Sequence, residues 1–390
     1  MNNFEFHIPT KVVFGKNTDE RTGEIVREQG CKKVLVHYGG KSAEKSGLLD
    51  RIFRSLREAG IEYESLGGVV PNPRLSLVYE GIKLCREKGI DFILAVGGGS
   101  VIDSAKAIAY GAVCDFDVWE LYDGKRTADK CLPVGCVLTI AAAGSETSDS
   151  SVITNENGWL KRGYSSQCSR PVFAVMNPEL TYTLPPYQTS SGAADILMHT
   201  MERYFGGCDS MELTDSIAEA LMRTVIRNAE RLVDEPENYD ARAEIMWAGS
   251  LSHNNLTGLG GGGDWATHQL EHELGGMFDC AHGAGLCAVW GSWARYVYTE
   301  DPDRFARFGR NVFGICGADI NETALMAISA CENFFRSINM PVTVKELGYE
   351  LNDNMISELA EKCSHFGKRT IGGFKILDKQ DMINIYNSAK

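Results

Sequence analysis

The sequence has no excess of basic residues over acidic ones. It contains 39 lysines and arginines against 52 aspartates and glutamates, which gives a formal net charge of −13. Proteins that bind nucleic acid need a basic surface to neutralise phosphates, so this balance argues against a nucleic-acid partner. Apolar residues make up 44% and charged residues 23%, as in ordinary soluble globular proteins.

Long apolar runs and cysteine motifs are also missing. No stretch reaches the roughly 20 apolar residues that span a bilayer. The amino terminus, Met1 to Glu5, has no basic segment followed by an apolar one, so no membrane span or signal peptide is predicted. The 12 cysteines include no Cys-x-x-Cys pair, which predicts a reduced set rather than a disulfide framework or zinc–thiolate site. We expect a cytoplasmic protein.

The chain of 390 residues is too long for one compact core, and its pattern changes once. Up to about residue 185, apolar strands alternate with helical spacing: strands at 33–38, 61–66 and 92–96, helices at 48–58, 75–88 and 101–110. This alternation predicts an α/β domain with a mostly parallel sheet over residues 1–185. Residues 12–14 are expected to form an edge hairpin with residues 4–8.

Beyond Pro185-Pro186 the pattern is helical throughout, which predicts an all-α domain over residues 186–390. The expected helices cover 189–205, 215–232, 239–251, 265–274, 282–298, 322–338 and 354–363. Glycine pairs at Gly206-Gly207 and Gly275-Gly276 are expected to end two of them, because glycine readily adopts the left-handed conformation that follows a helix.

A glycine-rich turn joins the strand at 92–96 to the next helix. Gly97, Gly98 and Gly99 would let the backbone approach a diphosphate, and the helix N-terminus offers free N–H groups to it. Ser100 can cap that helix or bind a phosphate oxygen. The turn favours nucleotide binding over its alternative, a plain tight turn, although it is not the Gly-x-Gly-x-x-Gly motif.

A second turn, Gly39-Gly40-Lys41, follows the strand at 33–38. An acidic residue there would bind the ribose 2′-hydroxyl and repel a 2′-phosphate, and none is present. The turn therefore favours NADP(H) over NAD(H). The alternative is that Lys41 is only a solvated side chain.

Histidine is scarce, with eight residues, and its distribution is uneven. Asp195 and His199 are four residues apart, as are His268 and His272, so each pair shares one helix face. His282 follows a turn that can return it towards His268. Carboxylate and imidazole ligands suit Fe(II), Zn(II) or a similar divalent ion. Surface or core histidines are the alternative, but this clustering favours a metal site.

These motifs together resemble one family, the iron-containing (group III) alcohol dehydrogenases, and especially their butanol dehydrogenase and NADPH-dependent aldehyde reductase branch. The resemblance covers nearly the whole chain. Its segments, in order, are Gly97-Gly98-Gly99-Ser100-x-x-Asp103, Gly144-Ser145-Glu146-Thr147, Asn177-Pro178, Asp195-x-x-x-His199, and His268-x-x-x-His272-Glu-Leu-Gly-Gly with His282-Gly283.

The resemblance implies the dehydroquinate synthase-like fold, with an α/β dinucleotide-binding domain and an all-helical domain. It implies a divalent metal, Fe²⁺ before Zn²⁺, a small alcohol or aldehyde as substrate, and a homodimer. His272 would line the substrate pocket and relay a proton. The implied metal ligands are Asp195, His199, His268 and His282. The implied cofactor contacts, besides the two glycine turns, are Asp103, Thr139, Ser145, Thr147 and Lys161.

Two other functions are compatible with parts of this pattern. A lyase of the dehydroquinate synthase type would need several basic residues for its phosphorylated, carboxylated substrate, and the segments 189–199 and 265–282 contain no lysine or arginine. The second alternative function is that of a non-catalytic metal or nucleotide sensor. The sequence favours a dehydrogenase that acts on a small neutral substrate.

Overall fold

A computed structural model describes residues 1–206 and 211–390. It divides into two compact units, one of residues His7–Leu184 and the other of Met1–Phe6 together with Pro185–Lys390. The first six residues therefore group with the helical half of the chain, which their sequence pattern does not indicate. One link is the hydrogen bond from Asn2 N–H to the Gly260 carbonyl, at 3.0 Å.

The unit His7–Leu184 is an α/β structure. Its strands are β1 (Lys11–Phe14), β2 (Lys33–Tyr38), β3 (Glu62–Leu66), β4 (Phe92–Gly97), β5 (Val134–Leu138), β6 (Ser150–Asn155), β7 (Leu160–Ser165) and β8 (Phe173–Met176). Its α-helices are α1 (Thr22–Glu28), α2 (Ser42–Lys45), α3 (Leu48–Glu58), α4 (Leu75–Lys88), α5 (Gly99–Val113) and α6 (Trp119–Tyr122).

Six strands form one parallel sheet in the order β1-β8-β5-β4-β2-β3. Every residue of β4 is buried. Alternate residues of the sheet, such as Val36 and Leu94, join a core cluster with residues of α1 and α3, while α5 packs against β4 and β5. Strands covered by helices on both faces are apolar along their whole length, which is why the sequence pattern identifies them.

The expected hairpin between residues 4–8 and 12–14 is wrong. β1 instead pairs in parallel with β8, with Lys11 opposite Phe173 and Phe14 opposite Met176. The hairpin that the structure does contain, β6–β7, is antiparallel and has Thr154 opposite Lys161. Its strands, with the sequences SSVITN and LKRGYS, contain more polar than apolar residues, so they lack the apolar pattern by which strands are predicted.

The second unit is helical. Its α-helices are α7 (Pro186–Phe205), α8 (Glu212–Asp234), α9 (Tyr239–His253), α10 (Ala266–Phe278), α11 (His282–Val297), α12 (Pro302–Phe308), α13 (Ile320–Ser337), α14 (Asp353–Cys363) and α15 (Lys379–Ser388). The parallel α/β unit and this helical unit confirm the predicted fold class. Within the described ranges, no helix combines the length and apolar character of a membrane span.

Two predicted helix ends can be compared with the structure. α7 ends before Gly206, as expected, whereas Gly207 lies outside the described residues. α10 does not end at Gly275-Gly276 but continues to Phe278. Asp279 follows it in the left-handed conformation, at φ 54°, and its N–H bonds the Gly275 carbonyl. Both glycines are buried inside the helix, so the pair does not terminate it.

A buried lysine holds the segment that follows β5. Lys106 of α5 is fully buried, and its Nζ lies 2.7–3.0 Å from the Ser145, Ser148 and Ser150 carbonyls and the Ser145 hydroxyl. Burial lowers the pKa of Lys106 to about 8, although the nearby Asp103 carboxylate opposes this shift. The three N–H donors of one ammonium group are thus shared among four oxygens of the segment from Ser145 to Ser150, most of which lies outside regular structure.

Lys106→Met should destabilise the protein. The variant keeps the aliphatic stem but leaves buried carbonyl oxygens without a donor, so we expect the free energy of unfolding in urea to fall by about 3 kcal/mol. The matched control is Lys83→Met, since the Lys83 side chain is 74% exposed and lies 3.8 Å from the exposed Glu87 carboxylate. Its effect should stay within about 0.5 kcal/mol. Equal losses in both variants would contradict a special role for Lys106.

Candidate metal centre and cofactor-binding edge

Three helices bring one carboxylate and three imidazoles together. α7 carries Asp195 and His199 one turn apart, α10 carries His268 in its first turn, and α11 begins at His282. Asp195 Oδ1 lies 3.1 Å from His199 Nδ1. The same oxygen lies 3.9 Å from Nε2 of His268 and 3.8 Å from Nε2 of His282. The residues expected to bind metal therefore converge on one carboxylate oxygen.

Within residues 1–206 and 211–390, three of these ligand atoms are buried and make no hydrogen bond of acceptable geometry, although the first two lie 3.1 Å apart: Asp195 Oδ1, His199 Nδ1 and His268 Nε2. Buried polar atoms in proteins are nearly always hydrogen-bonded, so a group of such atoms facing one point fits a bound cation. One carboxylate oxygen with imidazole nitrogens is a donor set suited to Fe(II) or Zn(II). The residues present therefore fit a divalent metal.

The electrostatics of the cluster favour an anionic Asp195 carboxylate beside a neutral His199 ring. Burial alone would raise the pKa of Asp195, but the three imidazoles around it outweigh burial and hold that pKa below its ordinary value. Burial lowers the pKa of His199 to about 4. At neutral pH this ring is thus uncharged and retains the lone pair that a metal ligand needs.

His272 lies beside this cluster. It is 8% exposed and follows His268 by one turn of α10, and its ring centroid is 5.8 Å from that of His282. Potential ligand atoms of His272, His282 and Glu271 lie within 4.8 Å of one another. The structure therefore brings His272 to the edge of the predicted metal site, next to its most exposed member, His282, whose side chain is 26% exposed.

Two buried glutamates at the imidazoles are not among the residues predicted from the sequence. Glu202 Oε1 lies 2.9 Å from His268 Nδ1, and Glu271 Oε2 forms a hydrogen bond with His282 Nδ1. They are 3% and 0% exposed. Glutamate is rarely buried without a partner, so its presence three residues after a predicted ligand, on the same helix face, is the signal that could have identified both.

The predicted cofactor residues lie largely along one edge of the sheet. β2 is followed by Gly39, β4 ends at Gly97, and β5 is followed by Thr139, whose N–H donates to the Gly97 carbonyl at 3.0 Å. Because these neighbouring strands are parallel, all three turns lie at their carboxyl edge. In the sheet, β2 lies between β3 and β4: the chain passes from β2 to β3 on one side and then crosses back to form β4 on the other side. Ligands of open α/β sheets bind at such a reversal.

Close packing explains why the turn after β4 is glycine-rich. A Cβ atom on Gly98 would lie 2.9 Å from Ile140 Cβ, and one on Gly99 would lie 3.0 Å from Ala143 Cβ. The turn after β5 thus approaches the start of α5 closely. Gly98 occupies the N-cap position, so Ser100 does not cap this helix, and its other predicted role, a bond to a phosphate oxygen, stays a prediction. The first N–H groups of α5 are still available to a phosphate.

Asp103 and Ser145 are in direct contact. The Ser145 hydroxyl donates to Asp103 Oδ1 at 2.6 Å, and the Val152 N–H donates to Asp103 Oδ2 at 2.9 Å. Thr147 is buried in the same segment, and its carbonyl accepts a 2.5 Å hydrogen bond from Arg170. Asp103 therefore anchors the segment that carries two other predicted cofactor residues. A cofactor contact by any of the three remains a prediction.

The two predicted cofactor lysines differ in their surroundings. Lys41 is exposed and directly precedes α2, in the turn that contains Gly39 and Gly40. Lys161 is 4% exposed and lies in β7 of the hairpin. The Lys41 side chain can reach a solvent-accessible phosphate without desolvation, whereas Lys161 is already enclosed by protein.

Comparison with known proteins agrees with this geometry. Residues 9–178 match the family model described as iron-containing alcohol dehydrogenase, and residues 189–390 match the C-terminal model of the Fe-containing alcohol dehydrogenase family. A probable NADH-dependent butanol dehydrogenase of Bacillus subtilis is 39% identical, and an NADPH-dependent aldehyde reductase of Escherichia coli is 35% identical. Both alignments cover 100% of each chain.

A solved structure shows the same fold. The crystal structure of an NADH-dependent butanol dehydrogenase from Thermotoga maritima superposes with a TM-score of 0.96 at 38% sequence identity, covering 100% of this chain and 99% of the other. Both family models together span most of the sequence, and full-length relatives share more than a third of its residues. The chain belongs to the iron-containing alcohol dehydrogenase family.

Proposed function

We propose that this protein is a metal-dependent oxidoreductase that transfers a hydride between NAD(P)(H) and a small primary alcohol or aldehyde. The observation that carries the proposal is the group of three imidazoles around the buried Asp195 carboxylate oxygen, within 3.1–3.9 Å. We assign cofactor binding to residues 1–185 and metal and substrate binding to residues 186–390. Relatives named as butanol dehydrogenase and aldehyde reductase support this reaction class.

The metal would be held by Asp195, His199, His268 and His282, and we favour Fe²⁺ over Zn²⁺ because four protein ligands leave an open position on an ion that accepts five or six. When bound, such an ion supplies a Lewis acid that polarises the substrate oxygen. Trp265 contributes an apolar surface here, with ring centroids 6.1 Å from His199 and 5.3 Å from His268.

For the cofactor, the glycine turn at 97–99 would hold the pyrophosphate, and we propose a preference for NADP(H). The support is local: the turn Gly39-Gly40-Lys41 has no acid to repel a 2′-phosphate, and Lys41 is exposed. Kinship does not decide between the cofactors, because the Bacillus relative is named for NADH and the Escherichia relative for NADPH.

His272 is proposed to carry the proton that the alcohol oxygen gains or loses. Its position beside His282 puts an imidazole within the reach of a substrate held at the centre. An imidazole titrates near neutral pH, which suits proton transfer in both directions of the reaction.

The setting proposed is a cytoplasmic homodimer. The family resemblance suggests the dimer, and cysteines that are unbridged throughout the described residues suit a reducing compartment. Sedimentation analysis of the purified protein would test the oligomeric state.

The alternatives are a dehydroquinate synthase-type lyase and a non-catalytic sensor. The lyase is disfavoured because the segments 189–199 and 265–282 lack basic residues. Reduced-nicotinamide absorbance in the presence of butanal separates a dehydrogenase from both. Steady consumption supports the proposal, and a flat trace with Fe²⁺ and with Zn²⁺, under both cofactors, would overturn it.

Asp195→Ala and His282→Ala should lose metal and activity together. Several kcal/mol of charge stabilisation depend on the ion, so turnover of butanal should fall by at least about a thousandfold. Metal content by atomic emission and turnover are measured on the same samples, with His7→Ala, an exposed histidine, as control. A variant that is metal-free yet turns over aldehyde at the wild-type rate would refute the metal role.

Lys41→Asp should shift the cofactor preference towards NAD(H). The change replaces attraction of the 2′-phosphate with repulsion, so the ratio of kcat/KM for NADPH to that for NADH should fall by about tenfold or more. Lys45→Asp, on the adjacent helix α2, is the control for the general charge change. An unaltered ratio would remove Lys41 from cofactor selection.

His272→Ala should retain metal but slow turnover. Loss of a positioned acid–base group costs about a hundredfold or more in kcat. Metal content distinguishes the possible roles, because a metal ligand would lose the ion whereas a proton-transfer residue would not. Metal-depleted His272→Ala protein would show that the residue is a ligand instead.

A further inference from the structure

We infer that Glu202 and Glu271 are positioning residues that determine which nitrogen of His268 and of His282 faces the metal. The inference rests on the metal centre of the proposed function and adds two acidic residues that lie behind its ligands. The hydrogen bonds of Glu202 and Glu271 to the imidazoles lie within the chain, so they are present in the metal-free protein.

At His268 the two ring nitrogens have different surroundings. Nδ1 lies 2.9 Å from Glu202 Oε1, whereas Nε2 is buried, has no hydrogen-bond partner in the described part of the chain, and lies 3.9 Å from Asp195 Oδ1. Glu202 Oε1 already accepts one hydrogen bond, from the His268 backbone, so we take it as the acceptor of the ring contact too and place the ring proton on Nδ1. In a neutral imidazole this leaves the lone pair on Nε2, on the side of Asp195. Glu202 Oε1 also accepts the His268 backbone N–H, at 2.9 Å, which fixes the first turn of α10.

His282 repeats this arrangement with a different carboxylate. Its Nδ1 is hydrogen-bonded to Glu271 Oε2, and its Nε2 lies 3.8 Å from Asp195 Oδ1. Glu271 is fully buried, and space for it depends on Gly285 of α11. A Cβ atom at position 285 would lie 2.9 Å from Glu271 Cγ and 3.0 Å from its Oε1.

The two carboxylates link the three helices in order. Glu202 lies on α7, two turns after Asp195, and binds an imidazole of α10. Glu271 lies on α10, three residues after His268, and binds the imidazole that begins α11. α7 and α10 thus each carry a ligand and orient a ligand of the next of the three helices. Carboxylates behind metal-bound imidazoles set the ring orientation and raise ligand basicity, so they strengthen metal binding.

The test measures metal affinity directly, with Co²⁺ as the probe because its visible absorbance reports the ligand environment. Dissociation constants are measured by chelator competition for the wild type, Glu202→Gln, Glu271→Gln and Glu271→Ala. We expect Co²⁺ to bind the variants about 10–100-fold more weakly, with Glu271→Ala weakest because it loses both the charge and the acceptor.

Glu219→Gln is the matched control. Glu219 is a buried glutamate of the same unit, but its carboxylate accepts hydrogen bonds from Tyr204, at 2.9 Å, and Arg307, at 2.8 Å, rather than from an imidazole. This variant should lower the thermal stability while leaving the Co²⁺ dissociation constant unchanged. If Glu202 and Glu271 had a purely structural role, their glutamine variants would likewise lose thermal stability and keep the wild-type Co²⁺ dissociation constant.

Gly285→Ala provides a test that removes no polar group. The added methyl displaces the Glu271 side chain, so Co²⁺ binding should weaken and the cobalt spectrum should change, even if a glutamate variant fails to fold. Wild-type Co²⁺ affinity in Gly285→Ala and in the folded glutamine variants would overturn the inference but not the metal centre. A loss of Co²⁺ affinity in Glu219→Gln equal to that in the other variants would do the same. A wild-type protein that binds no Co²⁺, Fe²⁺ or Zn²⁺ would instead overturn the metal centre itself.

Discussion

The buried carboxylate of Asp195 is the constraint around which the helical unit is arranged. A carboxylate that is 3% exposed is costly unless opposite charge or donors surround it. Here the surrounding groups come from three separate helices, so the helices must approach one another closely. A Cβ atom on Gly283 would lie 2.0 Å from the Ser191 carbonyl, which means that α11 can reach α7 only with glycine at that position. The small residue directly after His282 thus permits His282 to reach Asp195.

In the α/β unit, glycines likewise permit two segments to approach closely at the carboxyl edge of the sheet. Gly98 and Gly99 have no side chains, so the segment after β5 can pack closely against them. Lys106 and Asp103 hold the same segment through hydrogen bonds to Ser145. The turn that is proposed to receive a pyrophosphate is therefore supported by buried polar contacts rather than by regular structure. Such support keeps backbone N–H groups in place before a ligand arrives, which reduces the ordering that binding requires.

Much of this arrangement could be predicted from the sequence, and the failures have physical causes. Helix α3 and strand β2 were predicted with their observed bounds because their apolar spacing follows a period directly. The hairpin β6–β7 was not, since its polar strands are stabilised by tertiary contacts. The histidine spacing indicated the metal cluster. The roles of Glu202 and Glu271 become visible only in the structure, where they are hydrogen-bonded to His268 and His282. Spacing on one helix predicts shared faces, and it does not predict contacts between helices.

Arg203 bears on the charge of the substrate, because it lies on α7 one turn after His199 and could have supplied a cation for an anionic substrate. Its guanidinium instead donates to the His199 carbonyl, at 2.9 Å, and approaches His253 Nδ1, at 3.2 Å. It also lies 4.6 Å from the centroid of the Trp265 ring, and Trp265 has left-handed backbone geometry, at φ 66°. The arginine is thus 5% exposed and engaged in holding an aromatic side chain against the imidazoles. An internal cation that supports an apolar wall favours a neutral substrate at this centre over a phosphorylated or carboxylated one.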